Sequence, residues 1–383
     1  MMELLFWLFV GITIYVYFGY PLLLIIVAKI SNQSVRRANI TPSVTMIIAA
    51  HNEEKSIHRK LQNSLNLDYP KDKLEIIVAS DGSTDKTNVI VGKFKDQRIR
   101  LVYDPIQKGK SSIQKKAVEN ANGDVIVFTD APTLLDSNAL SKIVRPFYDK
   151  TVGCIMGKAK NIDISETSVS EANNLYNLYE EFLQKKESQI GSLAMGSGWL
   201  FATRKNLIEP LDINVGDDFV IPLGVVEKGF KVIYERKAIS YDRGHIETKA
   251  MFRAKYRVVT KDLRGLFSKK VLLNPIRFPL VSWSLISHKL LRWLIPYFLI
   301  VVLISNCFLL NIIFYQITFA LEVTFLLLSL VGWILQNKGI KVKVFYIPFY
   351  YCLVNLAALI GVAASFLGKK MGHWTPDRYT YYG

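Results

Sequence analysis

Apolar and polar positions divide the chain into three zones. From residue 4 to 28 nearly every residue is apolar, and basic residues Lys29, Arg36 and Arg37 follow. A helix needs about 20 such residues to cross a bilayer, so this run predicts a spanning segment. It lacks a basic start and a small-residue cleavage site, which predicts a retained anchor rather than a removed leader. Runs 290–310, 312–335 and 344–367 predict three further spans. Glu322 lies inside one of them, where an acid has to face protein, water or the interface. Just before them, IRFPLVSWSLISHK (276–289) mixes apolar and polar residues. It reads equally as a helix on the membrane surface or as a linker helix.

Between these zones, short β-rich runs alternate with helical periods. VTMIIAA (44–50) ends in the polar turn HNEEKS, and Ile57, Leu61 and Leu65 then recur at helical spacing until Tyr69-Pro70. LEIIVAS (74–80) ends in DGSTDKT. RIRLVYD (98–104) is a third strand, 111–120 a helix closed by Asn122-Gly123, and DVIVFTD (124–130) a fourth strand. Such alternation predicts right-handed βαβ units and a mostly parallel sheet, an α/β fold. In these sheets ligands bind beyond the carboxyl ends of the strands. Three predicted strands end there in His51-Asn52-Glu53, Asp81-Gly82-Ser83 and Asp130.

Charge narrows the partners. The 383 residues carry 48 Lys and Arg against 32 Asp and Glu, a formal net charge of +16. That excess suits nucleic acid, an anionic leaflet or a phosphate-bearing substrate, and the apolar runs favour the last two over nucleic acid. The positive-inside rule puts Lys29–Arg37 and the Lys338, Lys341, Lys343 loop on the cytoplasmic side, with the N-terminus outside and the middle of the chain cytoplasmic. Three later crossings put the tail outside; with one segment in the interface it returns inside. Three widely spaced Cys exclude a disulfide framework and zinc-type spacing.

Several polar groups carry chemistry, each with a plain alternative. Asp130 at a strand end suits Mg²⁺ or Mn²⁺, which take oxygen ligands and keep waters while bridging phosphates; it also suits a turn or helix cap. Glu53 and Asp81 can accept hydrogen bonds from ribose and base, or simply shape their turns. Lys110 opens a helix where phosphate would be welcome. Asp217 and Asp218 in GDDF are either helix-start charges or a pair holding a general base. Gly198 permits close approach to backbone, and Trp199 offers a face to a sugar ring or to the core. Arg253 and Arg257 share one helical face that suits a diphosphate or anionic lipid.

In their order these elements resemble the membrane-bound family-2 glycosyltransferases, the inverting GT-A type that includes bacterial hyaluronan, cellulose and poly-N-acetylglucosamine synthases. The likeness runs from about Val44 to Arg257 and rests on TMIIAAHNEE, IIVASDGSTDKT, the Gly109-Lys110 pair, FTDA and GDDF. It implies a Rossmann-like GT-A domain over 31–275, behind an anchor at 1–30 and ahead of an interfacial stretch at 276–289 and membrane segments at 290–383. It implies Ala50, Asn52, Glu53, Asp81, Lys110 and Arg257 at the nucleotide sugar, Asp130 as ligand of Mg²⁺ or Mn²⁺, Gly198, Trp199 and Asp217 near donor sugar and acceptor, and Asp218 as base. The donor would be a nucleotide-diphosphate sugar, UDP-linked by preference, and the acceptor a polysaccharide, a glycan or a lipid-linked hydroxyl. The protein would sit in a bacterial-type plasma membrane. Two positions depart from the pattern. Pro132 stands where a second acid would bind metal, which keeps open a catalytically silent scaffold or nucleotide-sugar sensor. Val258 stands where the synthases have Trp, which leaves a short or single-sugar product open.

Overall fold

A computed structural model describes the chain except residues 32–33, 162–167, 192, 194–197, 211, 213, 243–247, 339, 341 and 370–383, and the side chains of 168–172 and 174. The tail expectation therefore falls outside the described residues. The four predicted strands form as β1 (Val44–Ala50), β2 (Leu74–Asp81), β3 (Ile99–Asp104) and β4 (Val125–Asp130). They are joined by β5 (Leu134–Leu135), β6 (Val152–Asn161), β7 (Phe201–Arg204) and β8 (Lys231–Asp242) in one sheet of order β3-β2-β1-β4-β7-β6-β8-β5. The β3-β2-β1-β4 half is parallel; β7 runs antiparallel to both β4 and β6.

Both faces of the sheet are covered, which is why its central strands read as unbroken apolar runs. Ile47, Ile77, Ile126 and Phe128 point to one side, where Ile113 and Ala117 of the helix Lys110–Glu119 meet them. Met46, Ile48, Val78 and Val127 point to the other, against Ile57 and Leu61 of the helix Ile57–Leu65. The first of these cores continues through Phe219, Val259 and Leu263 to Trp293 and Ala358. Sheet and C-terminal helices therefore share one apolar interior.

Among the described residues four helices are long and apolar enough to cross a membrane: Met2–Ile30, Pro279–Cys307, Ile313–Gln336 and Lys343–Phe366. Leu4, Phe18, Leu321 and Leu327 stand exposed on them, the outward apolar surface that hydrocarbon would cover. The stretch 276–289 is not a separate element. From Pro279 it is helical and continuous with the span ending at Cys307, because Pro279 sits in the first turn, where a missing N–H costs nothing. Glu322 meets the Asn306 side-chain amide at 3.3 Å, a partner from a neighbouring helix. The helix Thr248–Ser268 lies against Lys343–Phe366, and Thr260 Oγ1 donates to the Gly361 carbonyl at 3.2 Å.

One glycine fixes the turn after β2. Gly82 has φ +61°, and a Cβ there would lie 2.3 Å from the Gln107 backbone nitrogen. Gly82→Ala is expected to cost about 1–3 kcal/mol of stability, read as a lowered thermal midpoint of the full chain in detergent.

Candidate active site

Strand register builds the site. Ala50 pairs with Ser80 and Ala49 with Asp130, so β1, β2 and β4 end level with one another. The turn residues beyond them share one rim. Because β7 runs antiparallel to β4, with Phe128 opposite Phe201, the segment just before β7 returns to that rim. Gly198 and Trp199 thereby arrive beside Asp130, and Thr129 Oγ1 donates to the Trp199 carbonyl at 2.9 Å.

Lys110 is the hub. Its ammonium lies 2.8 Å from Asp130 Oδ1 and 3.3 Å from Asp217 Oδ2. Gln114, one turn further along the same helix, donates to Asp217 Oδ2 at 2.8 Å. Burial works against the Lys110 charge, yet Asp130, Asp217 and Asp218 hold its pKa above the ordinary value. Asp218 is affected in the opposite sense. Burial and the adjacent Asp217 raise its carboxyl to about 6, with Lys110 opposing. Behind it, burial and Asp218 keep the Asp262 carboxyl well above the usual range.

Glycines bring the backbone against these acids. A Cβ on Gly198 would sit 2.9 Å from Asp218 Oδ2, and one on Gly216 would sit 2.7 Å from Asp262 Oδ1. Lys110, Asp130, Gly198, Trp199, Asp217 and Asp218 all line one cavity of about 670 Å³, and Arg257 joins them from the helix Thr248–Ser268. Arg253, on the same helix, is exposed and is not among the described lining residues.

The residues of the turns after β1 and β2 form a second group. Asp81 is fully buried, and its two carboxylate oxygens accept the N–H groups of Lys108 and Gly109 at 2.8 Å each. It thus holds the turn that aims Lys110. Asn52 adopts φ 53°, and its side-chain oxygen accepts the Thr84 N–H at 2.8 Å, tying the β1 turn to the β2 turn. Glu53 is buried and takes the Ser56 hydroxyl, while its N–H donates to Thr87 Oγ1 at 2.8 Å. Ala50 is buried at the last position of β1.

Sequence reasoning missed Lys60, Gln114 and Asp262. Lys60 is fully buried behind β4, donating to Thr129 Oγ1 at 2.9 Å and to the Thr133 carbonyl, so it brackets Asp130. Burial lowers its ammonium to about 7, against the pull of Asp130 and Asp242. Its signal was position: Ile57, Lys60, Leu61 and Ser64 make one buried helical face. Gln114 and Asp262 carry no comparable mark in the sequence.

A metal finds a partial donor set here. Asp130 supplies carboxylate oxygens at the rim, Pro132 supplies none, and no group of three His, Cys, Asp or Glu gathers among the described residues. Mg²⁺ and Mn²⁺ accept that chemistry when diphosphate oxygens and water complete the shell. The residues present would fit an ion that brings further oxygen ligands of its own, Asp130 being the carboxylate that could hold it.

The mixed, mostly parallel sheet is Rossmann-like, as in GT-A structural neighbours. Residues 45–210 match the family described as Glycosyl transferase family 2. The probable glycosyltransferase YdaM of Bacillus subtilis is 30% identical over 247 residues, 60% of this chain and 59% of that protein. A poly-beta-1,6-N-acetyl-D-glucosamine synthase of Staphylococcus aureus is 23% identical over 206 residues, 52% of this chain and 49% of that protein. The matches thus span less than two thirds of either relative's length. Among solved structures, the mannosyltransferase PcManGT from Pyrobaculum calidifontis, in complex with GDP-Man and Mn²⁺, has the same fold. The TM-score is 0.74 at 21% identity, over 97% of this chain and 100% of that one. Residues 45–210 are thus similar to family-2 glycosyltransferases, and the chain shares the fold of a solved mannosyltransferase.

Since a methyl group on residue 198 would push the Asp218 carboxylate aside, Gly198→Ala is expected to lower kcat by roughly 10²-fold, the cost of misplacing a reacting group by about 1 Å. Nucleotide affinity should change little. Steady-state transfer and nucleotide binding on the same preparation separate the two.

Proposed function

We propose that the protein is an integral membrane glycosyltransferase. It moves a sugar from a nucleotide-diphosphate donor, preferably UDP-linked, to a hydroxyl acceptor with inversion, on the cytoplasmic face, in polysaccharide or glycolipid synthesis. The observation that carries this reading is the meeting of Asp218, Gly198, Asp130 and Lys110 at one cavity.

Asp218 takes the proton of the acceptor hydroxyl. The oxygen attacks the anomeric carbon as the bond to the diphosphate oxygen breaks on the opposite face, so configuration inverts. A base is most useful with a pKa near working pH, and the rise of Asp218 to about 6 supports the role. Lys110 and Arg257 stabilise the departing diphosphate by charge. A Mg²⁺ or Mn²⁺ ion held by Asp130 would neutralise diphosphate charge; the Mn²⁺ in the PcManGT structure fits this reading. Ala50, Asn52 and Glu53 form the nucleotide turn, and Asp81 fixes its neighbour. Asp217, Gly198 and Trp199 shape the space for donor sugar and acceptor.

Asp218→Asn in native membranes should stop release of nucleoside diphosphate from every donor that the parent protein uses; full activity would remove Asp218 as base. The sign of the pH effect follows from the base being needed ionised. Below about pH 6 Asp218 is protonated, so kcat/KM should fall roughly tenfold per pH unit there and level off above it. At the metal, Asp130→Ala should abolish turnover. Pro132→Asp should lower the Mg²⁺ or Mn²⁺ concentration needed for half-maximal rate, read from a metal titration.

A further inference from the structure

Behind Asp130 lies a set of bonds that no step of sugar transfer uses. Lys60 is fully buried and is not among the cavity's described lining residues, which include Asp130 and Trp199. Its ammonium donates to Thr129 Oγ1 at 2.9 Å and to the Thr133 carbonyl. These residues stand immediately before Asp130 and three places after it. Between them the Thr133 N–H donates to the Asp130 carbonyl at 3.2 Å, which closes the turn, and Pro132 fixes one φ inside it. One ammonium thus holds both ends of the turn that carries Asp130.

The same bonds run on to other strand ends. Thr129 Oγ1, which accepts from Lys60, donates to the Trp199 carbonyl at 2.9 Å, just before β7. Thr133 Oγ1 donates to Asp242 Oδ2 at 2.9 Å, at the last residue of β8. Asn63, three residues after Lys60 on the same helix, exchanges two bonds with the Leu135 main chain at 2.9 and 2.8 Å. The segment beyond the turn is therefore pinned without Lys60. What Lys60 adds is the junction of Asp130 with Trp199. Burying an ammonium among neutral oxygens is costly, and a Met of similar length would fill the same space at lower cost. Among the described residues Lys60 bonds to no carboxylate, so what its ammonium supplies is directional bonds. Groups standing behind a metal ligand commonly fix that ligand's orientation in this way.

We infer that Lys60 is a positioning residue for the metal and diphosphate: it fixes the Asp130 carboxylate relative to the Trp199 main chain without touching the substrate. This rests on the glycosyl-transfer reading, in which Asp130 holds Mg²⁺ or Mn²⁺ against the donor diphosphate. Charge and geometry act in opposite directions here. A cation behind Asp130 repels a metal ion, so if its charge alone mattered, removing it would tighten the metal. Loss of orientation weakens the metal instead.

The test measures retention of tritiated UDP and tritiated GDP by the full chain in a neutral detergent, with and without Mn²⁺. The quantity read is the factor by which Mn²⁺ tightens binding of the nucleotide that the parent protein retains. Lys60→Met should reduce that factor about tenfold, while metal-free affinity stays as in the parent. Thr129→Val keeps the side chain's shape but loses the hydroxyl that joins Lys60 to Trp199. It should lower the factor in the same direction, and Thr129→Ser should keep it. An unchanged factor in Lys60→Met would make Lys60 structural only, and a larger one would show that the site feels its charge alone; either result overturns the inference. If Lys60→Met does not fold, the Thr129 pair decides: loss in Val but not in Ser supports the inference, and equal factors overturn it. A parent protein that retains neither nucleotide, or retains it equally with and without Mn²⁺, overturns the donor and metal reading together with this inference. Failure confined to the variants leaves that reading standing.

Discussion

The site depends on one buried ammonium shared between acids from different parts of the fold. Lys110 joins Asp130, at the end of β4, to Asp217, at the start of the helix Asp217–Glu227. Asp218 and Asp262 stand close behind. Without a cation among them, these acids in a low-dielectric space would repel each other or take up protons. With it, Asp130 and Asp217 are held in place while Asp218 is left with a raised pKa. A buried pair of this kind contributes geometry more dependably than stability. Its value here is that Asp218, Asp130 and the Gly198 backbone are fixed relative to one another.

A second charge cluster performs a comparable task at the membrane end. Glu180 and Glu187, on the helix Ser168–Gln189, hold His288, Lys289 and Arg292 of the helix Pro279–Cys307, and Tyr20 of the N-terminal helix joins them. The shared apolar core from Phe128 to Ala358 adds non-directional cohesion along the same path. Sheet and apolar helices are thus one unit, and the cavity between them is lined by both.

Much of this was legible from the chain because it depends on local pattern. The parallel half of the sheet is buried on both faces, so β1, β2 and β4 appear as continuous apolar runs whose ends can be located to within a residue. In a parallel sheet those ends gather ligand-facing groups, so Glu53, Asp81 and Asp130 could be brought together before any coordinates. β6 and β8 were not legible. Their first halves are buried, but GKAKN and ERK turn polar where the strands leave the core, and the register shifts after Gly157. Lys60 was hidden because an isolated Lys on a helix ordinarily reads as solvated; only the sheet behind it makes it internal. Lys255, Lys289 and Arg292 come to one cavity from two helices distant in sequence, and no spacing rule announces such a meeting. The stretch 276–289 was ambiguous for the opposite reason. Its mixed polarity, which suited a surface helix and a linker helix equally, goes with Ser287, His288 and Lys289 being buried.

Single displacement assisted by Asp218 is the central claim, and the stereochemistry of the product tests it most directly. Proton NMR of the transfer product reports the configuration at the transferred carbon, which is fixed once the glycosidic bond has formed. From an α-linked nucleotide sugar the account requires a β-linked product. An α-linked product would require two displacements or a front-side path, and would contradict the role given to Asp218.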